Sequence, residues 1–277
     1  MAHQLATSPK LAKVDLSRLR SMNSGAAYLP PEIRERLIKR AENISHFGEG
    51  YGMSECTVAA VVQPFPGTIP SVTEAPGFTG VLLPSMKARV VREDGSDAGW
   101  DEPGELLICG DNIALGYHKN EKATRETFVN GWLHTGDRFR VDRHGRFFYC
   151  DRAKDTLKVS GTQVSPVEIE DTILAHPEGL ASDVAVAGVP GARMLDERVP
   201  RAWVTLSLHG KRKGERYVAK ALDEWVRTTL SRPKWLRGGV QVIDEIPKSP
   251  TGKVLRRKLQ EAYEAAALKD GRVRSKL

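Results

Sequence analysis

The segment from Asp151 to Ile173 places three cations, Arg152, Lys154 and Lys158, ahead of a glycine at position 161. Glycine allows the backbone unusual freedom, and lysine is a point charge that binds an anion without a fixed fork geometry. We interpret the segment as a place where an anion is held and then released. A solvated basic surface has the same composition, so other motifs must identify the anion.

A second motif, EGYGMSE, runs from Glu49 to Glu55. Its glycines let the backbone approach a ligand closely, and Ser54 offers a hydroxyl group to a phosphate. The Glu55 carboxylate is a suitable ligand for a hard divalent cation. Glycine-rich turns followed by a polar residue are common, so this motif is weak by itself.

Two further motifs each place a charged side chain directly after a Thr-Gly pair. The run NGWLHTGD ends at Asp137, directly after a predicted Thr-Gly turn, where a carboxylate is suited to accepting both hydroxyls of a ribose. In IPKSPTGKVLRRKL, Lys253 follows a Pro-Thr-Gly loop and precedes a predicted helix. Most Gly-Asp pairs are simple turns and most lysines near loops are solvated, so each motif needs the others.

In this order and at this spacing, the four motifs resemble the adenylate-forming superfamily. The run GELLICGDNIALGYHKNEKATRETFVNGWLHTGD resembles its acyl-CoA synthetase and 4-coumarate-CoA ligase branch. The resemblance covers nearly the whole chain. It implies a ligase that activates a fatty or aromatic carboxylic acid with ATP and Mg²⁺ to an acyl-AMP, and then forms the coenzyme A thioester. The motifs leave a luciferase-type oxygenase open as well.

The resemblance also implies roles for residues at matching positions. Lys253 would act in the first half-reaction, Lys158 would contact the adenylate and act in the second, and Glu55 would bind the metal. Lys154 would be the hinge between two domains. The positions implied to contact ATP, the adenylate or coenzyme A are Gly25, Ala26, Ala27, Gly50, Tyr51, Gly52, Ser54, Asp137, Arg152, Lys154, Gly161 and Gln163.

Composition limits the remaining classes of function. The 277 residues carry a net charge of +7, which favours anionic partners. Cys56, Cys109 and Cys150 are too scattered for a zinc site or a disulfide framework, which indicates a reduced compartment. No apolar run approaches the length of a membrane span. Nucleic-acid binding would rest on charge alone, without stacking aromatic residues near the basic tail.

The sequence ends in Ser275, Lys276 and Leu277, which matches a peroxisomal address read by an import receptor. We therefore expect a peroxisomal protein. A chance match within a basic tail is the alternative reading.

The elements that must position these motifs form two groups. Residues 1–153 are expected to form the tail of a large α/β domain with a β-rich subdomain, because Gly and Pro punctuate alternating runs such as GELLICG and GRFFYCD. Residues 154–277 mix helices and strands and predict a small, mobile α+β domain. Its first helix is SPVEIEDTILAH, with Ser165 as the N-cap and Pro166 in the first turn.

The phosphate-binding loop of the superfamily is not present before Gly25. We therefore expect a partial sequence that does not complete the reaction by itself. A catalytically dead remnant that binds nucleotide or acyl-AMP, and one half of a split enzyme, are the alternatives.

Overall fold

The computed structural model describes residues 2–41, 43–69, 72, 75, 77–191, 198–250 and 252–269. The chain forms two compact units, Met1–Lys154 and Asp155–Leu277. No helix among the described residues is both long enough and apolar enough to cross a membrane.

The first unit begins with a parallel strand pair connected by a helix. Its elements are α1 (Ala2–Thr7), a 3-10 turn (Leu11–Lys13), β1 (Ser21–Ser24), α2 (Pro31–Arg40), β2 (His46–Tyr51), a second 3-10 turn (Ser54–Cys56), β3 (Val61–Val62) and β4 (Val81–Leu82). They form a sheet of order β1-β2-β3-β4, in which β1 and β2 are parallel. The run LPPEIRERLIKRAE predicts helix α2, because it has a proline at the start and Ile33, Leu37 and Ile38 on one face. The structure confirms this helix, which begins at Pro31 and buries Ile33 and Leu37.

An antiparallel sheet forms the rest of the first unit and confirms the predicted β-rich subdomain. Its elements are β5 (Lys87–Val91), β6 (Gly104–Cys109), α3 (Glu121–Thr127), β7 (Phe128–Val129), β8 (Trp132–Val141) and β9 (Phe147–Arg152). The strands follow the order β5-β6-β8-β7, and β9 pairs with β8. Helix α3 was not predicted, because its sequence has no apolar stripe. In agreement, none of its residues is buried.

The second unit is an α+β domain, as predicted. Its elements are β10 (Leu157–Val159), β11 (Thr162–Val164), α4 (Pro166–Leu174), β12 (Ala181–Pro190), β13 (Arg198–Leu206), α5 (Leu208–Lys213), α6 (Glu215–Thr229), a 3-10 turn (Arg232–Lys234), β14 (Val240–Val242) and α7 (Arg256–Lys269). The Ser165 hydroxyl accepts a hydrogen bond from the backbone N–H of Glu168, which confirms it as the N-cap of α4.

The sheet β12-β13-β14 is the centre of the second unit. Side chains alternate between its two faces, as strand geometry requires. Val184 and Val186 pack with α4 and α6, whereas Ala185 and Ala187 pack in the cluster that contains Leu259 of α7. The sheet is therefore covered by helices on both faces, and the loop before α7 is attached to this core.

Candidate active site

Asp137 lies in the middle of strand β8 and not after a turn. Glu105 of β6 pairs with Arg138 and Leu107 pairs with His134, so residues 135–137 lie opposite a single β6 residue. This β-bulge accommodates the positive φ of Gly136, which is +66°. The prediction of a Thr-Gly turn was wrong, because the glycine bends a continuous strand instead of reversing the chain.

The Asp137 carboxylate is buried and held from two sides. The Tyr51 hydroxyl donates a 2.7 Å hydrogen bond to Oδ2, and Arg152 Nε lies 3.4 Å from Oδ1. Arg152 is the direct partner of Asp137 in the β8–β9 ladder. Burial, and then the Asp137 charge, raise the pKa of the Tyr51 hydroxyl, so it stays a donor. A carboxylate has lone pairs for further donors, so this one can accept the hydroxyls of a sugar.

The carboxyl ends of strands β1 and β2 lie close together. Ser24 pairs with Glu49, and a Cβ atom on Gly25 would lie 3.1 Å from the carbonyl oxygen of Gly50. The carboxyl ends of parallel strands are where open α/β sheets bind ligands. Gly50 and Tyr51 belong to β2 because they pair with β3, so the glycine-rich motif EGYGMSE begins in a strand and not in a turn.

Ser54 and Glu55 follow β2 in a short 3-10 turn, and Ser54 is exposed. The Tyr117 hydroxyl donates a 2.6 Å hydrogen bond to Glu55 Oε1. This bond is the main reason that the pKa of Tyr117 is raised. Tyr117 was not identified from the sequence, because its 62-residue separation from Glu55 leaves no local signal.

The described residues contain no group of three or more His, Cys, Asp or Glu side chains that could hold a metal ion. Magnesium does not require such a group, since it is usually bound by one or two carboxylates together with substrate phosphates. A partly buried Glu55, oriented by Tyr117, fits that pattern. Glu55 is the side chain that would hold the ion.

In the second unit, three of the predicted positions lie on one hairpin. Lys158 and Gln163 are direct cross-strand partners of β10 and β11, so both side chains point to the same face, where both are exposed. Ser160 and Gly161 form the two-residue connection with φ angles of +50° and +82°, the pattern of a type I′ turn. Of the other cations in this segment, Arg152 and Lys154 belong to the first unit.

Lys253 lies in the loop before α7, as predicted, and its side chain is exposed. No hydrogen bond or ion pair joins its ammonium group to the part of the chain that the structure describes. Its backbone is well fixed, because Lys253 N donates to Ser249 Oγ and Ser249 N donates to the Lys253 carbonyl. The Lys253 backbone is thus held by Ser249 while the side chain stays exposed.

Two family models match this chain. The model of AMP-binding enzymes matches residues 1–118, and the model of the AMP-binding enzyme C-terminal domain matches residues 168–253. The chain is 38% identical over 263 residues to the probable 4-coumarate–CoA ligase 1 of Dictyostelium discoideum, an alignment that covers 94% of this chain and 45% of that protein. It is 37% identical over 265 residues to the luciferin 4-monooxygenase of Photuris pensylvanica, with coverage of 94% and 46%.

The fold is similar to that of a solved enzyme. The crystal structure of the anthranilate CoA ligase AuaEII in complex with anthranoyl-AMP superposes with a TM-score of 0.82 and 27% identity, covering 96% of this chain and 48% of that one. The chain therefore belongs to the AMP-binding enzyme family, and its resemblance to adenylate-forming enzymes is confirmed. It spans about half the length of these relatives. The roles of the individual residues named above stay predictions.

Proposed function

We propose that the polypeptide carrying this chain is an acid–thiol ligase, which joins a fatty or aromatic carboxylic acid to coenzyme A through an acyl-AMP. The observation that carries the proposal is the buried Asp137 carboxylate, held by Tyr51 and Arg152 in a form that can accept a ribose diol. Relatives that are CoA ligases, one of them with a bound acyl-AMP, support the same chemistry.

In the first half-reaction, a carboxylate oxygen of the acid attacks the α-phosphorus of ATP and the bond to pyrophosphate breaks. Two anions must meet, so catalysis depends on positioning and on cations more than on covalent help. The Lys253 ammonium, which no described side chain neutralises, would supply a positive charge at this step. Magnesium on Glu55 would neutralise phosphate charge when bound.

In the second half-reaction, the thiolate of coenzyme A attacks the acyl carbonyl carbon, and the bond to the phosphate oxygen breaks to release AMP. We assign the β10–β11 hairpin to this step. Lys158 and Gln163 offer a cation and an amide on one exposed face, and the Ser160–Gly161 turn leaves a backbone that a ligand can approach closely. The role of Lys154 as a hinge stays a prediction.

The test is to supply ATP, Mg²⁺, coenzyme A and a panel of fatty and aromatic acids to the polypeptide, and to measure pyrophosphate and thioester. Both products are expected from at least one acid, and Asp137→Ala should lower the yield of both. Asp94→Ala is the control, since Asp94 is an exposed carboxylate that bonds only its own turn at Ser96 among the hydrogen bonds described. Binding of a non-hydrolysable acyl-AMP mimic without any pyrophosphate would favour a catalytically dead remnant.

We also propose import into peroxisomes for a polypeptide that ends in Ser275, Lys276 and Leu277, which lie outside the described residues. The support is the tripeptide alone. A fluorescent protein fused to the amino terminus should enter peroxisomes and should remain outside when Leu277 is deleted.

A further inference from the structure

The loop that carries Lys253 is fastened to the core of the second unit on both sides. Before Lys253, the Lys248 ammonium lies 2.6 Å from Asp183 Oδ2 at the start of β12. After Lys253, the Arg256 guanidinium at the start of α7 reaches α4 and β12. We call these contacts the first and the second anchor.

The second anchor is a buried network. Arg256 Nη2 lies 2.7 and 3.0 Å from the two oxygens of Glu170, and Nε donates to the carbonyl of Val186 at 2.9 Å. Glu170 Oε1 also accepts the backbone N–H of Val186 at 2.7 Å. Arg256 Nη1 lies 3.4 Å from Asp155, the first residue of the second unit. The Arg256 and Glu170 side chains are only 15% and 9% exposed.

Stability alone does not account for two charged anchors. Desolvation of a buried ion pair cancels much of its attraction, and apolar side chains of similar size often stabilise a fold as well or better. What an ion pair adds is a defined geometry. In the second anchor, Nη2 of Arg256 contacts both Glu170 oxygens while Nε bonds the Val186 carbonyl, so the guanidinium is held in one orientation. Both anchors end on β12, so they fix the two sides of the loop to the same strand.

Between the two anchors, backbone contacts join the residues before Lys253 to those after it. Lys248 and Val254 form an antiparallel bridge, and Leu255 N donates to the carbonyl of Pro247 at 2.8 Å. The positive φ of Gly252, +90°, lets the chain reverse directly before Lys253. The one cation of this loop that acts in the proposed reaction is therefore positioned through its backbone, while its ammonium stays exposed.

We propose that Lys248 and Arg256 are positioning residues, which act through their anchors to set the place of Lys253 for acyl-AMP formation. This inference rests on the proposed function. Loss of an anchor lets the loop move without removing the catalytic ammonium. A displacement on the order of 1 Å can slow a reaction about 100-fold, so the effect should fall on the first half-reaction.

The decisive variant is Lys248→Met, because this partly exposed pair can be removed with less risk to folding than Arg256. In the polypeptide that carries the chain, acyl-AMP formation should fall about 10- to 100-fold. Thioester formation from supplied acyl-AMP should keep its wild-type rate. Lys248→Arg, which can still reach Asp183, should restore most of the first activity, and Arg256→Lys should reproduce the loss.

Lys220→Met is the matched control, since Lys220 also forms an ion pair in the second unit, with Glu224 at 3.7 Å on α6. It should change neither half-reaction. An equal loss of both half-reactions in Lys248→Met, or no difference from Lys220→Met, would overturn the proposal.

Hydrogen exchange on the 277-residue chain separates this proposal from the proposed function. The amides of Lys253 and Leu255 should be protected in the native chain and should exchange faster in Lys248→Met but not in Lys220→Met. If these amides respond as expected while the native polypeptide forms no acyl-AMP with any acid, the anchors stand and the ligase assignment fails. If the amides do not respond, the positioning role is wrong.

Discussion

The two units hold their candidate site residues in different ways. In the first unit, Asp137 is fixed by the side chains that touch it, Tyr51 and Arg152, and Glu55 is touched in the same way by Tyr117. In the second unit, the Lys253 side chain has no such neighbour among the described residues, and its loop is held by ion pairs on either side. A group that binds a ground-state ligand can be fixed directly, whereas a cation that meets a transient charge must stay accessible.

The largest effect is expected at the exposed lysine. Lys253→Ala should slow acyl-AMP formation about 100- to 1,000-fold, by analogy with the removal of other preorganised donors to a developing charge. Thioester formation from supplied acyl-AMP should be unaffected, because Lys253 is assigned to the first half-reaction only. Single-turnover assays of each half-reaction measure the difference.

Lys258→Ala is the control for this variant, since Lys258 is an exposed lysine on the following helix. If Lys253→Ala and Lys258→Ala behaved alike, the second unit would not carry a catalytic cation at this position.

The next largest effect is expected at the Asp137 carboxylate of the first unit, which Tyr51 and Arg152 contact. Asp137→Ala should weaken binding of a non-hydrolysable acyl-AMP mimic about 10- to 100-fold, since hydrogen bonds to a charged group contribute about 1.5–3 kcal/mol. Calorimetric titration measures this, with Asp94→Ala as the control. Unchanged affinity in Asp137→Ala would remove the sugar-binding role.

A smaller effect should follow from removing the hydroxyl that orients Glu55. Tyr117→Phe should raise the Mg²⁺ concentration that half-saturates nucleotide binding about tenfold, in line with other changes to groups that orient metal ligands. The Tyr117 ring, which packs edge-on against Phe128, is retained. Titrations of nucleotide at several Mg²⁺ concentrations test this, and an unchanged Mg²⁺ dependence would separate Tyr117 from the metal site.

The smallest effect is expected for Tyr51→Phe, which removes one hydrogen bond from Asp137 but keeps the ring against Phe139. Loss of one bond of about 1 kcal/mol should weaken binding of the acyl-AMP mimic about fivefold. Tyr217→Phe is a matched control for both tyrosines, because the Tyr217 hydroxyl also bonds a carboxylate, that of Glu178, in the second unit. A result equal to that control would show that the Tyr51 hydroxyl does not support the site.

The features predicted best from the sequence are those that depend on residues close together along the chain. Helix α2 was recognised from a proline at its start and an apolar face, and helix α4 from its Ser165 cap, Pro166 and two acidic residues near its start. Helix α3 was missed because its sequence, EKATRET, has no apolar stripe. A helix was therefore predicted where its cap, its proline or its apolar face lies within one short segment of the sequence.

The site was predictable only in part, for the same reason. Short motifs identified Asp137 and Lys253, but they do not show which side chains hold them. Tyr117 contacts Glu55, and Arg256 contacts Glu170, which lies 86 residues away in the sequence. Both contacts form through tertiary packing, which produces no periodic pattern of residues in the sequence. The bulge at Gly136 looked like a turn, since a glycine with positive φ serves both structures.

The most direct test is a calorimetric titration of the 277-residue chain with a non-hydrolysable acyl-AMP mimic, for the native chain, Asp137→Ala and Asp94→Ala. We expect saturable binding to the native chain and to Asp94→Ala, and a marked loss in Asp137→Ala. No heat of binding from the native chain, or equal affinity of Asp137→Ala and the native chain for the mimic, would show that Asp137 does not form an adenylate site.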